Sequence, residues 1–223
     1  MNKLLEAVNL QKTYSSGEVQ THALRGIEFT FFSNRFYAVT GKSGSGKSTL
    51  LHLLSGMETP TKGEVLYRSQ NLGIMKDAEL SKLKRQKFGF VFQSYNLLPE
   101  FCVLENIMLP ADLDRQKPDK TYIRKILSAM GIQDKIRKYP SQLSGGEQQR
   151  TAIARALVNK PEIIFADEPT GNLDQQNGQA VIELLAKLRK HFQQTIILVT
   201  HDKDIAAYAD EIVHIQDGQI VKR

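Results

Sequence analysis

Residues 35–56 read RFYAVTGKSGSGKSTLLHLLSG. The run falls into a β-forming start (RFYAVT), a glycine-rich loop over 41–48 (GKSGSGKS), and STLLHLLSG, whose apolar spacing predicts a helix ended by Gly56. The loop fits G-x-x-x-x-G-K-[ST], and strand, loop and helix in that order is the setting in which the pattern means a phosphate cradle. Gly41, Gly44 and Gly46 allow the backbone, with Ser43 and Ser45 between them, to curl its N–H groups around phosphate oxygens. The helix end adds its partial positive charge. Lys47 is expected to reach the β- and γ-phosphates, Ser48 to offer its hydroxyl to Mg²⁺, and Thr49 to bind another phosphate oxygen. Kinases, GTPases, helicases and transport ATPases all use such a loop, so it leaves the reaction open.

Upstream, LLEAVNL from Leu4 and ALRGIEFTF from Ala23 read as strands, with a polar loop over 15–21 between them. Downstream, GEVLYRS and KFGFVFQ return as strands. Between Gln93 and Pro161 the chain turns helical: VLENIMLPADL and KTYIRKILSAMGI have amphipathic spacing, and GEQQRTAIARALVN predicts a long helix opened by two glycines. EIIFAD and TIILVT are then near-continuous apolar runs of the kind a parallel sheet buries on both faces, with the helix QAVIELLAKLRKHF between them. The tail EIVHIQDGQIVKR reads as a hairpin turning at Asp217-Gly218. The plan is an α/β core interrupted by a helical lobe.

Two further segments select among the loop's users. EIIFADEP is an apolar strand ending in Asp167 and Glu168; its geometry predicts Asp167 beside the metal and Glu168 as the base for an attacking water. LSGGEQQR, from Leu143, starts a helix at its glycines, so Ser144, Gly145 and Gly146 present a second set of unpaired N–H groups. One triphosphate already wrapped by the 41–48 loop has little use for a second helix end from the same subunit. A second copy could bring that end to the γ-phosphate, which predicts ATP sandwiched in a two-fold dimer.

Together, GKSGSGKST, LSGGE, IIFADEP and VTHD resemble the ATP-binding-cassette (ABC) ATPases, over essentially the whole chain. The resemblance implies an α/β fold: a P-loop NTPase core of mostly parallel sheet with an N-terminal antiparallel β subdomain, interrupted by a helical subdomain. The expected division is one domain over 1–223, with 1–93 and 161–223 as nucleotide-binding core and 94–160 as helical lobe. It also implies that Tyr14 stacks on adenine, that Gln93 senses Mg²⁺ and the γ-phosphate, and that His201 contacts the γ-phosphate. GNLD, residues 171–174, is similar to the loop that crosses the dimer interface. The implied cofactors are ATP and Mg²⁺, and the implied partners are a second copy, head to tail, and a membrane permease. YNLLPEFCVLENIMLP and DEPTGNLD resemble the branch of macrolide-exporter, lipoprotein-releasing and peptide-resistance ATPases that work with FtsX-like permeases. In that branch a permease docks after Gln93, where Leu97, Leu98, Phe101 and Leu104 form either a groove or lobe core.

Bulk properties agree. The chain has 223 residues, 41% hydrophobic and 24% charged, the balance of a globular protein with a full core. No run approaches the roughly 18 apolar residues of a membrane span, and the first ten residues lack a signal peptide's pattern. The single cysteine, Cys102, suits a reducing compartment. A cytoplasmic protein, held on the inner face of the membrane by its partner, is expected. The net charge of +6 is densest at Lys82, Lys84, Arg85 and Lys87, which read as the solvated face of a short helix, so no nucleic acid is expected as partner. The rival classes are a cytosolic cassette acting on nucleic acid or another soluble partner, and a P-loop phosphotransferase, which would have no use for LSGGE.

Overall fold

Strands β1 (Lys3–Ser16) and β2 (Val19–Phe32) form a long antiparallel ribbon, joined on the far side of β1 by β4 (Lys62–Tyr67) and then β5 (Gln70–Asn71). The structure, a computed structural model, describes residues 2–17, 19–117 and 119–221. The chain divides into two units, Met1–Ser81 with Thr195–Arg223, and Lys82–Gln194.

In the first unit the ribbon's inner face buries Leu5, Ala7, Leu10, Leu24, Ile27 and Phe31. The polar loop expected over 15–21 is instead ladder: Tyr14 pairs with Thr21, Ser15 with Gln20 and Ser16 with Val19. Position 18 lies outside the described residues. Cross-strand pairs need no apolar face. The Thr13 hydroxyl meets His22 Nδ1 at 2.9 Å, and β-branched Thr13, Val19 and Thr21 favour extended backbone.

A second sheet in this unit runs β10 (Gln219–Val221), β9 (Glu211–Gln216), β3 (Phe36–Thr40), β8 (Thr195–Val199), parallel except for the β9–β10 hairpin. That hairpin turns at Asp217 (φ 50°) and Gly218 (φ 76°), as the Asp-Gly signal predicts. All five residues of β8 are buried. The two sheets meet through rings: Phe31 lies edge-on to Phe29 at 4.8 Å and to Tyr37 at 4.9 Å, and the Phe32 N–H donates to the Tyr37 hydroxyl at 2.7 Å. Helix α1 (Lys47–Leu54) follows β3 and buries Leu50, Leu51, Leu53 and Leu54. Helix α2 (Asp77–Lys87) buries none of its residues, as its lysine-rich sequence predicts. The short α7 (Lys203–Ala206) follows β8.

In the second unit β6 (Phe88–Phe92) and β7 (Ile163–Asp167) pair in parallel, in register from Phe88 with Ile163 to Phe92 with Asp167. Helices α3 (Val103–Leu113), α4 (Lys120–Met130), α5 (Gly145–Leu157) and α6 (Gln175–Phe192) make up the rest. Helix α5 is its spine, touching α3, α4, α6 and β6, with Ala152, Ile153, Ala154 and Leu157 buried. Small residues on that face allow close approach: a Cβ on Gly89 would sit 2.5 Å from the Ala156 carbonyl oxygen.

Candidate functional site

In the first unit β3 runs into the loop and the loop into α1, as the sequence predicts. Two glycines are required sterically. A Cβ on Gly41 would lie 2.2 Å from the Ile215 carbonyl oxygen, and one on Gly46, at φ 104°, would lie 2.5 Å from that of Ala23. Gly46 caps α1 in the left-handed conformation with no side chain bonded to the helix end, leaving the first N–H groups without intrahelical partners. Lys47 is 6% exposed, and its ammonium folds back onto the Lys42 carbonyl at 2.9 Å. Among the described residues no carboxylate pairs with it, and the Ser45 hydroxyl is buried without a partner. Ser48 and Thr49 open α1 beside them.

A buried cation without an anion, an orphaned hydroxyl and a glycine-walled cradle are what a bound polyphosphate would complete. The Ser48 hydroxyl is a hard oxygen donor of the kind Mg²⁺ takes. The residues therefore fit Mg²⁺-bound triphosphate. His201 stands just after β8, and with Thr40, Gly41, Lys42, Ile212 and His214 it lines a cavity of about 500 Å³. His214 Nδ1 lies 3.0 Å from the Thr40 hydroxyl at the entry to the loop.

Tyr14, 40% exposed on β1, donates its hydroxyl to Glu58 Oε2 at 2.7 Å. Burial and this carboxylate raise the phenol's pKa, while a hydrogen bond with Thr49 opposes them. Burial raises the Glu58 pKa, but hydrogen bonds from Tyr14 and Lys12 outweigh it, and the net shift is downward.

The second unit carries the other predicted residues. Asp167 ends β7, and Glu168 follows at φ 43°, a left-handed conformation uncommon for a residue with a side chain. The turn is held by the Gly171 N–H on the Glu168 carbonyl (3.0 Å) and by buried Gln149, whose amide donates to the Pro169 carbonyl (2.6 Å). Gln93, after β6, exchanges hydrogen bonds with Asn172 of the GNLD loop. Its Nε2 donates to Asn172 Oδ1 at 3.3 Å, and Asn172 Nδ2 donates to the Gln93 carbonyl at 3.0 Å.

Tyr95 and Asn96 follow, both left-handed at φ 59° and 49°. Arg155 on α5 donates to both of their carbonyls, at 2.7 Å to Tyr95. The Tyr95 hydroxyl donates to the Asn172 carbonyl at 3.3 Å and lies where a Cβ on Gly145 would come within 2.9 Å of it. The structure therefore brings Gln93, the GNLD loop and the start of α5 together.

Ser144 caps α5 in a capping box: its Oγ accepts from the Glu147 N–H (3.3 Å), and Glu147 Oε2 accepts from the Ser144 N–H (2.8 Å). That backbone bond is the main reason the Glu147 carboxyl sits below its usual pKa, with Lys135 nearby adding to it. The Ser144 side chain also helps to hold that carboxyl down, and the N–H groups of Gly145 and Gly146 have no carbonyl within the helix.

Sequence reading missed Glu58, Lys12, Tyr95, Gln149, Asn172 as the partner of Gln93, and Arg155. Their partners lie 20 to 79 positions away along the chain for Gln149 and Asn172, so no local spacing marks them. The one available signal was Tyr95-Asn96, a dipeptide prone to a left-handed turn at its asparagine.

Comparison with known proteins agrees with this geometry. The ABC transporter family model matches residues 24–171. An uncharacterized ABC transporter ATP-binding protein of Methanocaldococcus jannaschii is 45% identical over 223 residues, covering 98% of each chain. Another, of Thermotoga maritima, is 45% identical over 222 residues, 99% of this chain and 94% of that one. Among solved structures, the ATP-binding cassette MJ0796, a dimer in a post-hydrolysis state bound to ADP and Pi, matches with a TM-score of 0.88 at 38% identity, over 98% of this chain and 97% of that one. CbiO1 from Clostridium perfringens, part of the ABC transporter complex cbiONQ, matches with a TM-score of 0.86 at 28% identity, over 100% and 88%. Fold and site together define a nucleotide-hydrolysing cassette. The chain belongs to the ABC transporter family, and it is an ATPase that uses ATP and Mg²⁺.

Proposed function

We propose that the chain is the ATP-hydrolysing subunit of a transporter: two copies close head to tail around two Mg·ATP and drive a membrane permease. The observation that carries this reading is the start of α5. There the Gly145 and Gly146 N–H groups have no carbonyl partner within the helix, at the positive end of a helix of 13 residues. An anion brought by another molecule suits that end, and MJ0796 is a dimer in its ADP- and Pi-bound state.

In this reading Tyr14 stacks on adenine. The backbone around Gly41, Ser43, Gly44, Ser45 and Gly46 cradles the phosphates, with Lys47 on the β- and γ-phosphates and Thr49 on a further oxygen. Ser48, Gln93 and Asp167 would hold Mg²⁺, which would supply neutralisation of charge on the phosphoryl oxygens. Glu168 takes a proton from a water whose oxygen bonds to the γ-phosphorus, while the bond from that phosphorus to the bridging oxygen breaks, leaving ADP and phosphate. His201 contacts the γ-phosphate, and Ser144, Gly145 and Gly146 of the second copy cover it. The chain works as one domain, with 1–93 and 161–223 as its core and 94–160 as the lobe that moves the partner.

No helix among the described residues is long and apolar enough to cross a membrane, so attachment to the inner face goes through the permease. Leu97, Phe101 and Leu104 are half-buried and Leu98 is 38% exposed, an apolar surface rather than closed core. Asn106, fully buried, braces this loop, donating to the Leu98 and Phe101 carbonyls at 3.0 and 2.9 Å. A coupling helix fits there. The likeness of the 95–110 and 167–174 segments to the macrolide-exporter, lipoprotein-releasing and peptide-resistance branch supports an FtsX-like permease.

The test is the Glu168→Gln variant with Mg·ATP. It should bind ATP, lose turnover by roughly three orders of magnitude or more, as removal of a general base does, and accumulate as a dimer by light scattering. Rapid steady-state hydrolysis by this variant, or a monomer with ATP bound, would overturn the reading.

A further inference from the structure

The geometry points to Glu58 as a positioning residue for the nucleobase: its carboxylate holds the Tyr14 ring, by the phenol hydroxyl, where a purine stacks. This rests on the reading of Tyr14 as the adenine platform. Tyr14 stands near the end of the β1–β2 ribbon and is 40% exposed, so its own strand leaves the ring free to change rotamer. What fixes it comes from the segment after α1.

Glu58 Oε2 accepts from the Tyr14 hydroxyl at 2.7 Å and lies 3.1 Å from the Lys12 ammonium, while Oε1 faces His52 Nδ1 at 3.4 Å. Lys12 also donates to the Thr59 carbonyl at 2.9 Å, which sets its ammonium 5.0 Å from the centre of the Tyr14 ring. One ring face is thereby given to a cation, which leaves the other for a base and draws electron density from the ring, favouring an electron-rich purine. An exposed ion pair contributes little to stability, so the value of Glu58 lies in orientation.

The test compares binding of Mg·ATP and of inorganic tripolyphosphate, which has no base. Glu58→Ala and Tyr14→Phe should each weaken ATP about fivefold, the loss of one hydrogen bond's worth of orientation, and leave tripolyphosphate unchanged. Glu58→Gln keeps an acceptor oxygen and should retain most of the ATP affinity. Equal losses for both ligands would make Glu58 merely structural and overturn the inference. So would an unchanged ATP-to-tripolyphosphate ratio in Glu58→Ala and Tyr14→Phe while Tyr14→Ala lowers it. If Tyr14→Ala also leaves the ratio unchanged, the platform reading falls and this one with it.

Discussion

Lys47 shows what a single residue records about an absent ligand. It is a buried cation that, among the described residues, donates to a backbone carbonyl of its own loop and to no carboxylate. Such a charge is costly unless an anion completes it, and in the proposed function that anion is a triphosphate. Lys47→Ala should weaken Mg·ATP binding by about 30-fold or more, the worth of charge-assisted hydrogen bonds in a desolvated site. Fluorescence titration with a labelled nucleotide reads this directly, and unchanged affinity would contradict it. Arg155 is a residue of the other kind, structural in itself but wired to the site. Burial lowers its pKa, yet it keeps two carbonyls of left-handed residues satisfied. Arg155→Met should cost about 2 kcal/mol in unfolding free energy by denaturant titration, since two acceptors lose a charged donor.

At the scale of elements, α4 and α5 are joined by Tyr122, whose hydroxyl donates to the Leu157 carbonyl at 3.0 Å. Burial pushes the Tyr122 phenol up to about 12 from an ordinary 10. The folded state thus holds this proton more tightly than the unfolded one. Its contribution is fully present below pH 10 and is lost as pH rises towards 12. Alkaline unfolding followed by circular dichroism should show that loss, and Tyr122→Phe should remove this component of the pH dependence. The same helices show how far sequence reaches. Helix α5 (Gly145–Leu157) was legible because two glycines mark its start, although the predicted stretch GEQQRTAIARALVN runs two residues past its end. The strand cores and the Asp217-Gly218 turn were legible for similar local reasons. The 15–21 segment was not, because a polar two-stranded ladder has the composition of a loop. The Gln93–Asn172 exchange was not, because it joins residues 79 positions apart by amides that any loop might carry.

At the scale of the molecule, Lys47, Asp167, Glu168 and His201 are all present, but the chain carries only one phosphate loop and one Ser-Gly-Gly helix end. If these two parts serve the same nucleotide from different subunits, defects in each should complement when mixed. Take Glu168→Gln, which loses its base, and Gly145→Asp, which sets a carboxylate at the helix end. Each alone should be inactive. In a mixed dimer, the Gly145→Asp subunit's loop and base meet the Glu168→Gln subunit's intact helix end, which restores one working site. Equal amounts with free exchange should give about a quarter of the unmodified protein's ATPase rate, because half the dimers are mixed and half their sites are intact. A mixture that forms such dimers and yet hydrolyses no faster than its two components apart would contradict the account.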